Sequence, residues 1–310
     1  MIYFRKLLCL LFLSILAFIA KSQDVEKRSL QEIEDSLTVL MKQIYSDSPF
    51  SSREVANIKF HSLLGVVLAK EDAFDYPFDS LKHIGRIKSE DRKIRVFTWN
   101  LPQSGGYQKY YGFIVAKNGN TQIFDLTDNR KAIINPIKDI LSPQNWMGSL
   151  YYSIIDESYK GQTYYILLGF DFNNLFSSKK VIDVLSFGKD SEPIFGSGIF
   201  KVGDTFLNRV VFEFSARISM TLRYNKDSKT IVFDHLSPSR PDFSDNYQFY
   251  GPDFSYDGFK FDNGYWIYVR DLDMKNQKRK PVKLPDSPEK VPDPGFLYKS
   301  GGKLPKEIVK

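Results

Sequence analysis

The chain has 310 residues, 26 Phe, 18 Tyr and 3 Trp, a formal charge of +6 and one cysteine. That length has ample room for a core, and so many rings suit pleated, half-buried surfaces, which points to β-structure. The lone cysteine, Cys9, excludes disulfide staples and Cys-ligated zinc.

The first segment reads as a leader. Arg5 and Lys6 precede a 14-residue apolar run, Leu7–Ala20, and "AKS" follows as a cleavage site after Ser22. The run is short for a membrane span. It holds Cys9, so the processed chain carries no thiol. The expectation is an exported protein, periplasmic or extracellular and not membrane-spanning once 1–22 is removed.

Residues 23–72 read as a helical hairpin packed on the body. Leu30, Ile33, Leu37, Leu40 and Ile44 make one apolar stripe, with Ser29 and Glu32 as a capping box. Ser51 and Glu54 repeat the box, and Ala56, Phe60, Leu63, Leu64 and Val67 form a second stripe. An uncovered stripe on 30–44 is the mark of a third possibility, a structural subunit of an envelope assembly.

From 73 to 274 the apolar period is two, the signature of half-buried strands. "RVFTW", "KYYGFIVA", "TQIFDL", "SLYYSII", "TYYILLGF", "KVIDVLSF", "RVVFEF", "ISMTLRY", "TIVFDHL" and "GYWIYVRDL" are such segments. Asn118-Gly119 and Asn263-Gly264 mark hairpins with type I′ turns. The expected fold is mainly β with an N-terminal helical hairpin, an antiparallel meander curled into a barrel or a sandwich. An irregular propeller-like arrangement is the alternative.

Residues 275–310 hold ten Lys/Arg against four Asp/Glu, with six prolines. They read as a basic, Pro-rich flexible tail able to touch an anionic surface. With the leader also basic, the body is slightly acidic, which argues against nucleic acid as a partner.

Several segments together, among them "RVFTWNLPQ", "NWMGSLYYSII", "YYILLGFDFNN", "IFGSGIF" and "YGPDFSYDGF", resemble an uncharacterised family of predicted secreted, β-rich proteins from Bacteroidota. The resemblance covers roughly 55–275 and implies an envelope location and one contiguous domain. It implies no activity and assigns no residue a role.

The chain carries few motifs of known chemistry. His61, His83 and His235 form no zinc-spaced pair. His61 reads as a hydrogen-bonded boundary histidine and His83 as exposed. No nucleophile elbow occurs, and the glycines of "QSGGYQ" precede a strand, so they make no phosphate cradle. Asp271, Asp273 and Asn276 look like half a calcium loop without its closing carboxylate. A looser oxygen site at Asp253, Asp257 and Asp262 competes with simple side-chain turns. No metal or cofactor is assigned.

Alternation on "TIVFDHL" sends Asp234 and His235 to opposite faces, so each needs a partner from another strand. Asp183 and Glu213 fall in phase with apolar neighbours and need cationic or hydrogen-bonding partners. Arg209, Arg217, Arg223 and Arg270 are available. A carboxylate pair drawn from Asp183, Glu213, Asp234 and Asp253, with His235 nearby, would suit a glycan hydrolase. The favoured reading is a non-catalytic binding module for a glycan, peptide or envelope protein. Its candidate surface is an exposed group comprising Trp99, Trp146, Tyr250 and Tyr256 with Asp234, His235, Asp253 and Asp257. Asn100 and Asn145 are ring-adjacent amides that could join it.

Overall fold

A computed structural model describes residues 28–189 and 191–273. The segment expected to be a leader, with Cys9, and the basic tail, with Asn276, lie outside the described residues.

Helices α1 (Leu30–Ile44) and α2 (Phe50–Leu68) form the expected hairpin. The Ser29 hydroxyl accepts the Glu32 amide and the Glu32 carboxylate accepts the Ser29 amide, so the first capping box is complete. The second box is not used. Pro49 precedes the first residue of α2, Phe50, and no side chain caps the helix, because Pro at this point already places Ser51 and Glu54 inside it.

Among the described residues fifteen strands follow, in three sheets. The first has the order β1 (Gly85–Lys88), β2 (Ile94–Pro102), β3 (Gln108–Asn118), β4 (Asn120–Thr127). The second contains β5 (Leu150–Tyr159), β6 (Gln162–Asp171) and β7 (Ser177–Phe187), with β11 (Val210–Ser215) and β8 (Pro193–Phe195) both against β7. The third runs β10 (Thr205–Leu207), β9 (Phe200–Val202), β15 (Tyr265–Val269), β14 (Tyr250–Asp262), β13 (Thr230–Pro238), β12 (Leu222–Asn225). Pairing among these strands is antiparallel except for a short parallel contact of β15 with β9. Asn263 and Gly264 both take positive φ, as the type I′ turn requires.

The sheets do not close into a barrel. They stack as a sandwich, and strand alternation explains the layering. Phe97, Trp99, Leu101, Phe113 and Val115 face the helices, where Ile33, Leu37, Phe60 and Leu64 meet them. Their in-between neighbours Val96 and Ile114 face the second sheet, meeting Tyr151, Leu167 and Val181. Ile166, Ile182 and Val184, on the far side of that sheet, pack on Ile231, Phe233 and Phe259 of the third. Both large faces of the first two sheets are therefore buried. The stripe Leu30, Ile33, Leu37 and Ile44 is buried, packed in one core with α2 and the first sheet.

One segment departs from expectation. "ISMTLRY" is not a single strand. Pairing begins only at Leu222, and Ile218 is exposed in the connection from β11 to β12, which crosses from one sheet to the next. No ladder partner is available to it during that crossing. The strands β1, β8, β9 and β10 are too short to register as a period.

The connections 103–107, 172–176, 216–221 and 239–249 come together at one end of the stack. A Cβ on Gly106 would stand 2.6 Å from the Leu175 side chain, the Ala216 amide donates to the Phe176 carbonyl (3.0 Å), and Ile218 lies against Gly251.

Candidate binding site

The anticipated aromatic group does not assemble. Trp99 and Trp146 are both fully buried, in different cores. Trp99 Nε1 donates to Asn57 Oδ1 (2.8 Å) and Trp146 Nε1 to Tyr151 Oη (3.0 Å). Each indole thus spends its polar handle inside the protein. Tyr250 and Tyr256 are half-buried on β14.

The carboxylates are likewise taken up one by one. Asp183 is fully buried against Arg209, also fully buried, with Oδ1 2.8 Å from Nε. Its other oxygen accepts the Tyr151 hydroxyl (2.9 Å). Glu213 accepts from Ser177 Oγ (2.5 Å) and Asn173 Nδ2 (3.1 Å) and lies 3.4 Å from Lys179. Asp234 accepts the Thr221 amide (2.6 Å). Asp253 accepts the amide and hydroxyl of Ser255, a side-chain turn. Asp262 accepts from Asn263 Nδ2. Asp183 and Glu213 have no part in the His235 corner. Asp253 approaches the ring, and Asp234 lines the same cavity, its carboxylate bonded to the Thr221 amide.

His235 finds its partner on the next strand, as alternation requires. Nδ1 lies 2.8 Å from Oδ2 of Asp257, a buried carboxylate that also accepts the Tyr268 hydroxyl (2.5 Å) and the Asp271 amide (3.1 Å). Asp253 Oδ2 stands 3.9 Å from Nε2. Burial pushes the Asp257 carboxyl up, but the bonds from Tyr268, His235 and the Asp271 amide outweigh it and hold it below the usual range. Tyr268 is pushed up to about 12 by burial and by that carboxylate. The corner borders a cavity of about 270 Å³ floored by Phe212, Phe233 and Phe259. Beside it β14 bulges, and Phe254 stands 96% exposed at φ 71°. A group whose pKa is lowered on folding stabilises the fold above its unfolded value, here 3.8, and this stability is lost as pH falls through the lowered value. We expect Asp257→Asn to flatten the acid limb of a stability-versus-pH curve below about pH 4. An unchanged limb would show that other carboxylates carry it.

A polar concavity lies at the loop end of the first two sheets, about 800 Å³ in volume. The β2–β3 loop supplies Gln103, Ser104 and Tyr107, with Gln108 and Lys109 opening β3. The segment after β4 supplies Asp128, Asn129, Arg130 and Lys131, and the β6–β7 loop supplies Asn173. Gly105 and Gly106, both at positive φ, let the first loop turn tightly.

These groups are held in place. Arg130 Nε bonds Asp128 (3.0 Å) and Nη1 bonds Asp171 (2.9 Å), while its guanidinium lies over the Tyr110 ring. Burial opposes the Arg130 charge, but the two carboxylates outweigh it and raise its pKa. Asn100 Nδ2 donates to Gln108 Oε1 (2.7 Å), and Asn129 Nδ2 donates to Asn145 Oδ1 (2.8 Å). Asn100, itself buried, and Asn145 thus each hold one lining amide in place. Asn173, at φ 49°, is pinned to Ser177 and Glu213.

The wall formed by the β6–β7 loop is inverted relative to an ordinary turn. Its Asn174 side chain accepts the amides of Phe176 (2.8 Å) and Ser177 (3.1 Å), folding polarity inward. Phe172, Leu175 and Phe176 project to solvent, and Tyr107 is 61% exposed across the cleft. "QSGGYQ", which makes no phosphate cradle, supplies one wall of this cleft, and its sequence signal is amides flanking a tyrosine at a hairpin tip.

His61 bonds Asp125 (3.0 Å) at the helix–sheet boundary, and His83 is exposed, both as expected. Among the described residues no group of three or more His, Cys, Asp or Glu is disposed to hold a metal ion. Among them no helix is long and apolar enough to cross a membrane.

Comparison with protein-family profiles, with curated proteins and with solved structures returned no match.

Proposed function

We propose that this protein is an exported, non-catalytic binding module of the cell envelope, and that its ligand is a glycan held in the loop-end cleft. The observation that carries the reading is the cleft itself: Gln103, Gln108, Asn129 and Asn173 around an exposed Tyr107. Sugars present hydroxyls in donor–acceptor pairs and a flat apolar face. Amides match the first and a tyrosine ring the second. Immobilised amides cost little further ordering on binding. Support for export comes from the leader-like residues 1–22.

The test is calorimetric titration of the full chain with oligosaccharides from envelope polymers. Tyr107→Ala and Asn129→Ala should each weaken binding about tenfold, equivalent to about 1.4 kcal/mol, with unchanged thermal stability. Binding that both variants leave intact, or no binding to any oligosaccharide, would sink the reading.

A further inference from the structure

A second concavity, about 730 Å³, lies on another side of the first sheet, between the segment 75–88 and strand β5. Its lining contains Lys82, Arg86, Lys88 and Arg95 against only Asp75 and Asp79. The two acids are already engaged. Asp75 pairs with Lys88 (3.0 Å) and Arg92 (2.8 Å), and Asp79 pairs with Arg86 (2.8 Å).

Arg95 has no carboxylate. Its guanidinium is buried, over the Phe97 and Phe78 rings, with carbonyls of Ala73, Phe74, Tyr76 and Pro77 as acceptors. Its Nε is buried with no hydrogen-bond partner. Burial, with Arg86 adding to it, outweighs the opposing Asp75 charge and lowers the Arg95 pKa to about 10. A buried cation bonded by carbonyls and rings, with no carboxylate in contact, is incompletely compensated.

The opposite wall holds Tyr152 and Phe170. Lys180 lies over both rings, at 4.4 and 5.1 Å from their centroids, with the Tyr152 hydroxyl 3.4 Å from Nζ, and makes no ion pair among the described residues. Burial lowers its pKa, which marks a cation short of negative charge. The pocket therefore combines an excess of positive charge, a desolvated guanidinium and an aromatic wall.

We propose that this pocket is a second binding site, for a small molecule bearing an oxyanion, a phosphate or a carboxylate. Lys82 and Arg86 meet the ligand at the mouth, Arg86 exchanging the exposed Asp79 for it, while Arg95 and Lys180 supply the field behind. The site is independent of the glycan cleft.

The experiment is a titration of the full chain with inorganic phosphate and, separately, with glucuronate, at fixed ionic strength, read by calorimetry. At least one should bind saturably at one site. The pair Lys82→Gln/Arg86→Gln should weaken it about tenfold or more, and Lys109→Gln/Lys131→Gln in the glycan cleft should not. Because Arg86 also bonds the carbonyls of Pro77 and Phe78, the exposed Lys82→Glu is the second variant and should weaken binding without touching the fold. A response to phosphate alone assigns the ligand class as phosphate esters, and to glucuronate alone as carboxylates. No saturable binding of either, or binding indifferent to Lys82→Glu and to the double variant, overturns the proposal.

Discussion

Replacing Arg209 with Met is expected to destabilise the protein by about 3–5 kcal/mol, the cost of leaving a buried charge unpaired. Asp183 and Arg209 are both fully buried, and Asp183 is further tied to Tyr151, whose hydroxyl also accepts the Trp146 indole. Arg209 Nη1 meanwhile holds the Pro136 carbonyl of the connection after β4 (2.5 Å). Loss of the guanidinium strands a carboxylate in an apolar interior, where the tyrosine and the Val184 amide are its remaining donors. Adding Asp183→Leu removes the stranded charge, so the double variant should be more stable than Arg209→Met alone. Denaturant unfolding of the two singles and the double makes the cycle. A single-variant loss below about 1 kcal/mol would mean that water reaches the pair.

Trp99→Ala should cost about 3–5 kcal/mol, from lost burial and the cavity left behind. The indole sits on β2 under the helices, edge-on to Phe60 at 5.1 Å and stacked with Tyr111 at 5.8 Å. Its Nε1 satisfies Asn57 Oδ1, a buried amide of α2, so truncation also orphans that acceptor. Trp99→Phe keeps most of the packing and loses the bond, and should fall between wild type and Ala. Unfolding followed by circular dichroism reads the difference. Equal stability of the Ala variant and wild type would show that the hairpin is not anchored through this ring.

Both predictions concern residues whose surroundings the sequence alone misassigned or left open. Trp99 and Trp146 are two of the chain's three tryptophans, and a ring beside an amide reads equally well as a surface platform or as a core residue. Their alternation was legible. Which face of the first sheet each neighbour would cover was not. Asp183 shows the same division. Its phase with Val181 and Leu185 announced a buried acid in need of a partner. The choice of Arg209 over Arg217, Arg223 or Arg270 followed from β11 pairing with β7. The cleft was less legible still, because its lining is gathered from three connections separated by up to seventy residues.

The sequence by itself determined what depends on near neighbours: the capped first helix, the apolar stripe of the hairpin, the strand periods, the Asn263-Gly264 turn and the opposite facing of Asp234 and His235. These follow from backbone geometry within a few residues. Tertiary structure alone decided that the meander stacks instead of closing, that two tryptophans are core, that each acid has its own partner, and that hairpin-tip amides converge around Tyr107. Those outcomes depend on which faces bury each other, and the period of a strand states that a face is apolar without stating what will cover it.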